Sequence, residues 1–313
     1  MKIVYNLLRH AGSLYSLFQW YNLNGVFPFP PLLDAGVSYL SSYIKSVRDI
    51  KYVSAIVHRN EAKLGGAGLA LLMYAECYKS RKSVADLKLM RNLAEFLIWM
   101  QEPSGKFLSK YLYDQDRFDK FESLYYPGEA MLALLRLYQI DPDPRWLQAV
   151  MNGAEFLIRH PVMEGKVRGH NHWFAIALAE LYLIEPREIF YEEFWNIADA
   201  TLDAIPPRIQ AGASSVSMAT HGETAVAAEL LQQRLGREDR MDYVKPAVDT
   251  VLKYCLRFQV QKDDFSDNHT VGGIMENEGK QVIRIDFVQH TLQVISGRLC
   301  SDQLANRVDR NVI

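Results

Sequence analysis

Six stretches of this chain share one design, a small or polar opening followed by an apolar helical run. Such a unit cannot bury its own apolar face alone, so it must stack on its neighbours. The stretches are Leu32 to Ile44 (LLDAGVSYLSSYI), Gly65 to Tyr78 (GGAGLALLMYAECY), Tyr126 to Tyr138 (YPGEAMLALLRLY), Asn171 to Ile184 (NHWFAIALAELYLI), His221 to Leu235 (HGETAVAAELLQQRL) and Asp286 to Leu299 (DFVQHTLQVISGRL). Their starts lie 33, 61, 45, 50 and 65 residues apart. Several are apolar nearly all round, the character of a helix buried on most faces.

Between them lie longer amphipathic segments: Ala85 to Gln101, Pro144 to His160, Glu188 to Ile205 and Met241 to Phe258. In the first, Leu87, Met90, Leu93, Ala94 and Leu97 recur at a helical period, and Asp86, Lys88, Arg91, Asn92 and Glu95 supply the polar side. Asp143 and Pro144 stand where a helix N-cap and first-turn proline belong. Buried and amphipathic helices therefore alternate, in hairpins of about 50 residues. An open solenoid needs polar caps at its ends, and the first and last units lack them. A closed ring fits better. The expected fold is an all-α (α/α)6 toroid, a single domain over residues 1–313, with short β-like turns in the loops. Those turns are Ser104 to Leu112, Glu164 to Gly169 and Val271 to Asn277, all on the connection from an outer helix to the next inner one. Loops gathered at one end of a rigid scaffold are where function usually sits.

Composition narrows the classes of function. The 313 residues are 49% hydrophobic and 23% charged with a formal net charge of −2, so electrostatic binding to nucleic acid or to an anionic membrane is not expected. No stretch reaches the ~18 apolar residues of a membrane helix. Arg9 and His10 interrupt the only N-terminal apolar run. A soluble, cytoplasmic protein is the expectation. Cys77, Cys255 and Cys300 are odd in number and far apart, with no disulfide framework or zinc spacing.

Hairpins of this length, core helices opened by Gly65-Gly66 or Pro127-Gly128-Glu129, and Gly-hydrophobe turns resemble the six-hairpin toroids of glycan-processing enzymes. That superfamily includes glycoside hydrolases, unsaturated-glucuronyl hydrolases, sugar epimerases and polysaccharide lyases. The resemblance implies a glycan or oligosaccharide substrate at the mouth of the ring. It extends over nearly the whole chain but is architectural, and no diagnostic motif of one family is present.

Polar residues cluster where the inner helices open. Tyr125, Tyr126 and Glu129 open the third. His170, Asn171, His172 and Trp173 open the fourth, and His221 and Glu223 the fifth. Arg284, Asp286, Gln289 and His290 open the sixth, while His58 and Arg59 precede the second. His269 lies on a loop feeding one of these helices. Glu129, Glu223 and Asp286 are the candidate carboxylates, because glycosidic hydrolysis needs one acid and one base or nucleophile. Each also has a structural reading. Glu129 and Glu223 would complement a helix dipole in a first turn, and Asp286 would be an N-cap with Gln289 completing a capping box. His172 and His290, with Tyr126, are the alternative, proton abstraction by a lyase or epimerase. Asn171, Arg59 and Arg284 are then the groups that neutralise a uronate, and Tyr126, Trp173 and Gln289 bind substrate. A non-enzymatic glycan-binding or assembly module is a third reading. Tyr111, Tyr113, Phe121, Tyr125 and Phe287 are further aromatics for the mouth. Neither a metal nor a nucleotide cofactor is expected. The histidines lack a third zinc ligand nearby, and Gly65-Gly66-Ala67-Gly68 has no clear preceding strand and no Gly-Lys-Ser/Thr ending. If the ring closes, Glu129, His172, Glu223 and His290 line one cavity.

Overall fold

The computed structural model describes residues 5–25, 30–48, 50–163, 166–167, 170–262 and 270–310. Its contacts divide the chain into two compact units, Met1–Glu193 and Phe194–Ile313. His269 and parts of the Glu164 to Gly169 turn lie outside the described residues.

The first unit is built on four helices, α1 (Leu7–Asn24), α3 (Leu64–Arg81), α5 (Tyr126–Ile140) and α7 (His172–Ile184). Three helices lie against them: α2 (Pro30–Ser41), α4 (Val84–Trp99) and α6 (Pro144–Arg159). In α3 every residue from Leu64 to Cys77 is buried, whereas α4 buries one stripe, Met90, Leu93, Ala94, Phe96 and Leu97. The helix starts are set locally. Ser83 accepts a bond from the Asp86 N–H, and Asp143 accepts one from the Arg145 N–H ahead of Pro144.

The four core helices run the same way. Leu8 packs on Gly66 at one end of α1 and α3, and Asn22 Nδ2 donates to the Glu76 carboxylate at the other, 2.9 Å away. A Cβ on Gly68 would stand 3.1–3.2 Å from the Glu129 and Ala130 backbone, and one on Gly128 would stand 2.6 Å from the Phe174 N–H nitrogen. Only a missing Cβ lets α5 and α7 approach this closely. The N-terminal ends of α3, α5 and α7 therefore share one end of the unit.

At that end lies a five-stranded antiparallel sheet in sequence order: β1 (Ile44–Ser46), β2 (Ser54–His58), β3 (Glu61–Lys63), β4 (Lys110–Leu112) and β5 (Arg117–Phe118). Ala62 pairs with Val57 on one side and with Tyr111 on the other. Strand β3 runs directly into α3. A strand therefore does precede Gly65, contrary to the sequence expectation.

A second departure concerns the first repeat. The core helix beside α3 is α1, and the Leu32 segment forms α2, which buries only Leu33 and Leu40 and sets Gly36 on Leu14 of α1. The signal for α1 was present. Asn6 caps its start, accepting from the Leu8 and Arg9 N–H groups, and Gly25 ends it at φ 68°. A small hairpin of β6 (Val162–Met163) and β7 (Lys166–Val167) lies on the connection to α7.

The helix α8 (Glu188–Asp203) carries the chain across the boundary between the units. The second unit holds α9 (Ile205–Gln210), α10 (Ser215–Leu235), α11 (Met241–Leu256), a hairpin of β8 (Met275–Asn277) and β9 (Lys280–Ile283), and α12 (Ile285–Arg310). Helices α10 and α12 run parallel. Glu223 meets His290, Val226 fills the space beside Gly297, and Glu229 accepts from Arg298 and Ser301 at 2.5 and 2.6 Å. Among the described residues no helix is long and apolar enough to cross a membrane.

Candidate functional site

Each unit carries its own cluster of chemically competent side chains. In the first unit Glu129 lies in the first turn of α5, as expected, but almost fully buried. Its Oε2 has no hydrogen-bond partner among the described residues. A carboxylate there would lose its hydration without compensation, so burial pushes the Glu129 pKa up to about 8. The group is a neutral acid at pH 7 and can donate a proton. Gly65 makes room for it, since a Cβ there would overlap the Glu129 carboxyl and the Tyr126 ring. Burial, and then the charges of Glu129 and Glu61, push Tyr126 up to about 12. Its hydroxyl is therefore a donor rather than a base at neutral pH.

His172 is the first residue of α7 and is buried, with its ring 5.1 Å from Trp173 and 5.9 Å from Tyr125. Trp173 is 3% exposed and lies under it. Asn171 caps α7, accepting the Phe174 N–H at 3.2 Å and donating to the Leu124 carbonyl at 2.5 Å. Its amide thus ties the start of α7 to the loop before α5. Arg59 and Asn60 form the turn between β2 and β3, both at positive φ, 51° and 63°. That turn leads through Glu61 to the surroundings of Tyr126.

In the second unit Glu223 and His290 form a dyad, with His290 Nδ1 2.7 Å from Glu223 Oε1. Glu223 is 4% exposed. Burial raises its pKa, with His290 working in the opposite direction. Burial also disfavours an imidazolium at His290, but the Glu223 charge and hydrogen bond outweigh it and hold His290 above its ordinary value. The two groups are close enough to titrate as a pair. With Nδ1 committed to Glu223, Nε2 is the nitrogen that exchanges a proton.

The structural readings of the other carboxylates change here. Helix α10 starts at Ser215 under the cap of Ser214, six residues before His221. Glu223 is therefore in the third turn and owes nothing to a first-turn dipole. His221 is buried and binds the Ser217 carbonyl through Nδ1 at 2.7 Å. Asp286 is inside α12, not its N-cap, and its carboxylate is gripped by Arg284 through Nε at 3.0 Å and a terminal nitrogen at 2.5 Å. The Arg284 guanidinium stacks 4.4 Å above the Phe287 ring. Gln289 is buried in the same helix. Tyr111 and Phe287, expected at the mouth, are core residues at 1% exposure, while Phe121 and Tyr125 are 45% and 48% exposed.

No family model matches the chain, and no curated protein matches it. Solved structures do. A GH76 alpha-mannanase of Bacteroides thetaiotaomicron is 10% identical with a TM-score of 0.69, aligning 95% of this chain with 86% of that one. The chain has the all-α six-hairpin toroid fold. A cellobiose 2-epimerase of Spirochaeta thermophila shares it at 12% identity and TM-score 0.68, over 96% of this chain and 86% of that one. So does an unsaturated glucuronyl hydrolase specific for heparin, at 14% identity and TM-score 0.67, over 92% and 85%. At these identities the likeness is one of fold.

Proposed function

We propose that the chain is a carbohydrate-active enzyme that works by proton transfer, in the manner of a sugar epimerase or isomerase. The observation that carries this reading is the buried 2.7 Å bond between Glu223 and His290. A carboxylate that orients an imidazole and fixes its tautomer makes the other ring nitrogen a competent general base. On an open-chain sugar, His290 Nε2 takes the proton from the carbon beside the carbonyl. The C–H electron pair moves into the carbon–carbon bond and the carbonyl oxygen becomes the enediol hydroxyl or its anion. Return of the proton to the opposite face of the same carbon, with the former carbonyl oxygen giving up its enediol proton, yields the epimer; return to the former carbonyl carbon, with the neighbouring hydroxyl passing its proton to the former carbonyl oxygen, yields the isomer. Glu223 is the positioning residue. The fold supports a carbohydrate substrate, since structures that share it include a D-mannose isomerase and a cellobiose 2-epimerase.

Hydrolysis by paired carboxylates ranks second. Asp286 is neutralised by Arg284 and Glu223 is engaged by His290, which leaves neither as an independent nucleophile. What favours hydrolysis is Glu129, whose raised pKa of about 8 suits a general acid. One experiment separates the two. Incubating the protein with glucose, mannose and cellobiose in deuterium oxide and recording proton NMR reads isotope exchange at C2 and any new sugar. Exchange that disappears in His290→Ala supports proton transfer. New reducing ends from cellobiose without exchange at C2 would replace it with hydrolysis.

A further inference from the structure

The loop from α4 to α5 forms a half-open cavity of about 300 Å³ in the first unit that none of the chemistry above uses. Its walls include Phe118 and Phe121, with Lys106, Asp119, Lys120 and Glu122 among the polar lining. We propose that this cavity binds one neutral pyranose ring, so that the ligand of this protein is a sugar chain of at least two units. The proposal deepens the reading of a carbohydrate substrate and rests on it.

Four observations carry it. Phe118 and Phe121 are 39% and 45% exposed, an expensive arrangement for two large rings at one cavity unless something covers them. Both are held in place. Phe118 packs on Trp99 at 5.0 Å and on Tyr111 at 5.8 Å, and Phe121 meets Tyr126 at 6.1 Å with Lys110 5.4 Å from its centroid. Rigid aromatic faces suit the C–H face of a pyranose at low entropic cost. The polar lining is balanced, two ammonium groups against two carboxylates, so it offers donors and acceptors to hydroxyls without selecting a charged ligand. Lys106 is ion-paired to Glu122, and Lys120 is exposed with no ion-pair partner among the described residues. Finally, the volume is at the low end for ligand sites, room for one ring rather than a chain. The edge-to-face contact between Phe121 and Tyr126 sets the cavity beside the start of α5.

The test compares mono- and disaccharides by isothermal titration calorimetry on the intact protein, using glucose with cellobiose and mannose with mannobiose. At least one disaccharide is expected to bind tenfold or more tightly than its monosaccharide. In Phe121→Ala that ratio falls to near one, at an unchanged melting temperature because the ring is half exposed. Lys120→Ala lowers the ratio about threefold and stands in should Phe121→Ala fold poorly. A wild-type ratio near one for both pairs, or a ratio that survives Phe121→Ala or, where that variant folds poorly, Lys120→Ala, overturns the subsite. Isotope exchange into a monosaccharide together with no disaccharide preference overturns the subsite and leaves the proton-transfer reading intact. A Phe121-dependent disaccharide preference without isotope exchange does the reverse. No binding of any of the four sugars overturns both.

Discussion

Glu223 on α10 and His290 on α12 stand 67 positions apart in the chain and 2.7 Å apart in the fold. Two parallel helices packed through Gly222 and Gly297 bring them together, with Val294 and Val226 filling the space left by the missing Cβ atoms. Removing the charge and keeping the shape tests the relationship. In Glu223→Gln the largest influence opposing the burial of His290 is gone, only the Asp286 charge still favours the imidazolium, and the His290 pKa falls. The acid limb of the pH–rate profile, which in the wild type rises as His290 loses its proton, moves to lower pH. The plateau falls by about 10²-fold, in the range for loss of a tuned general base. A profile whose acid limb stays in place would remove Glu223 from the positioning role.

Glu129 makes stability depend on pH. Its folded pKa of about 8 lies above the ordinary value of 4.5, so the folded state holds a proton that the unfolded state releases between these values. Stability from this group is full below the lower value and is lost as pH rises through about 8. The ceiling on the effect is about 5 kcal/mol. Melting curves from pH 5 to 9 are expected to fall for the wild type and to flatten for Glu129→Gln, with the variant the more stable of the two at the alkaline end. Parallel curves would show that Glu129 is not buried as a neutral acid.

Adjacent glycines at the start of α3 are expected to behave oppositely. A methyl at Gly65 would overlap the Glu129 carboxyl and the Tyr126 ring, so Gly65→Ala should cost about 1–3 kcal/mol and impair activity. The nearest atom to a Cβ on Gly66 is Leu8 Cδ1 at 3.5 Å, an ordinary contact. Gly66→Ala should therefore stabilise the helix by about 0.5–1 kcal/mol. Chemical denaturation of both variants checks the contrast, and equal effects would contradict this packing of α3 on α5.

Overpacking tests the core helices themselves. Ala133 on α5 and Ala177 on α7 are 0% and 1% exposed. Replacing either with Phe should cost about 1–3 kcal/mol or more. An unchanged melting temperature in either variant would show that the site tolerates a ring and is not closely packed.

Helix identity and character were legible in the chain because they depend on neighbours three and four residues away. The apolar stripe of α4, the cap and proline that open α6, and the all-round apolarity of α3 and α7 are local signals. The candidate residues Glu129, His172, Glu223 and His290 were likewise visible as polar groups near helix starts. Local signals also misled. The repeat pattern placed α2 in the core, although α1 lies there between its own Asn6 cap and terminal Gly25. Short strands carry too few residues to show a period, so β1, β2 and β3 ahead of Gly65 went unread.

The protonation chemistry belongs to the tertiary structure alone. A carboxyl's pKa is set by what surrounds it in space. Sequence distinguishes neither Glu129, deprived of solvent behind Gly65, nor Glu223, joined to a histidine from another helix, nor Asp286, held by Arg284. The sequence by itself determined the helical character of most segments and the burial of α3, α5, α7 and α10, since helix periodicity and capping are properties of neighbours along the chain. Only the packing of those helices decided which of three similar carboxylates is a neutral acid, which orients a base and which is an ion-pair partner, because desolvation and charge act through space.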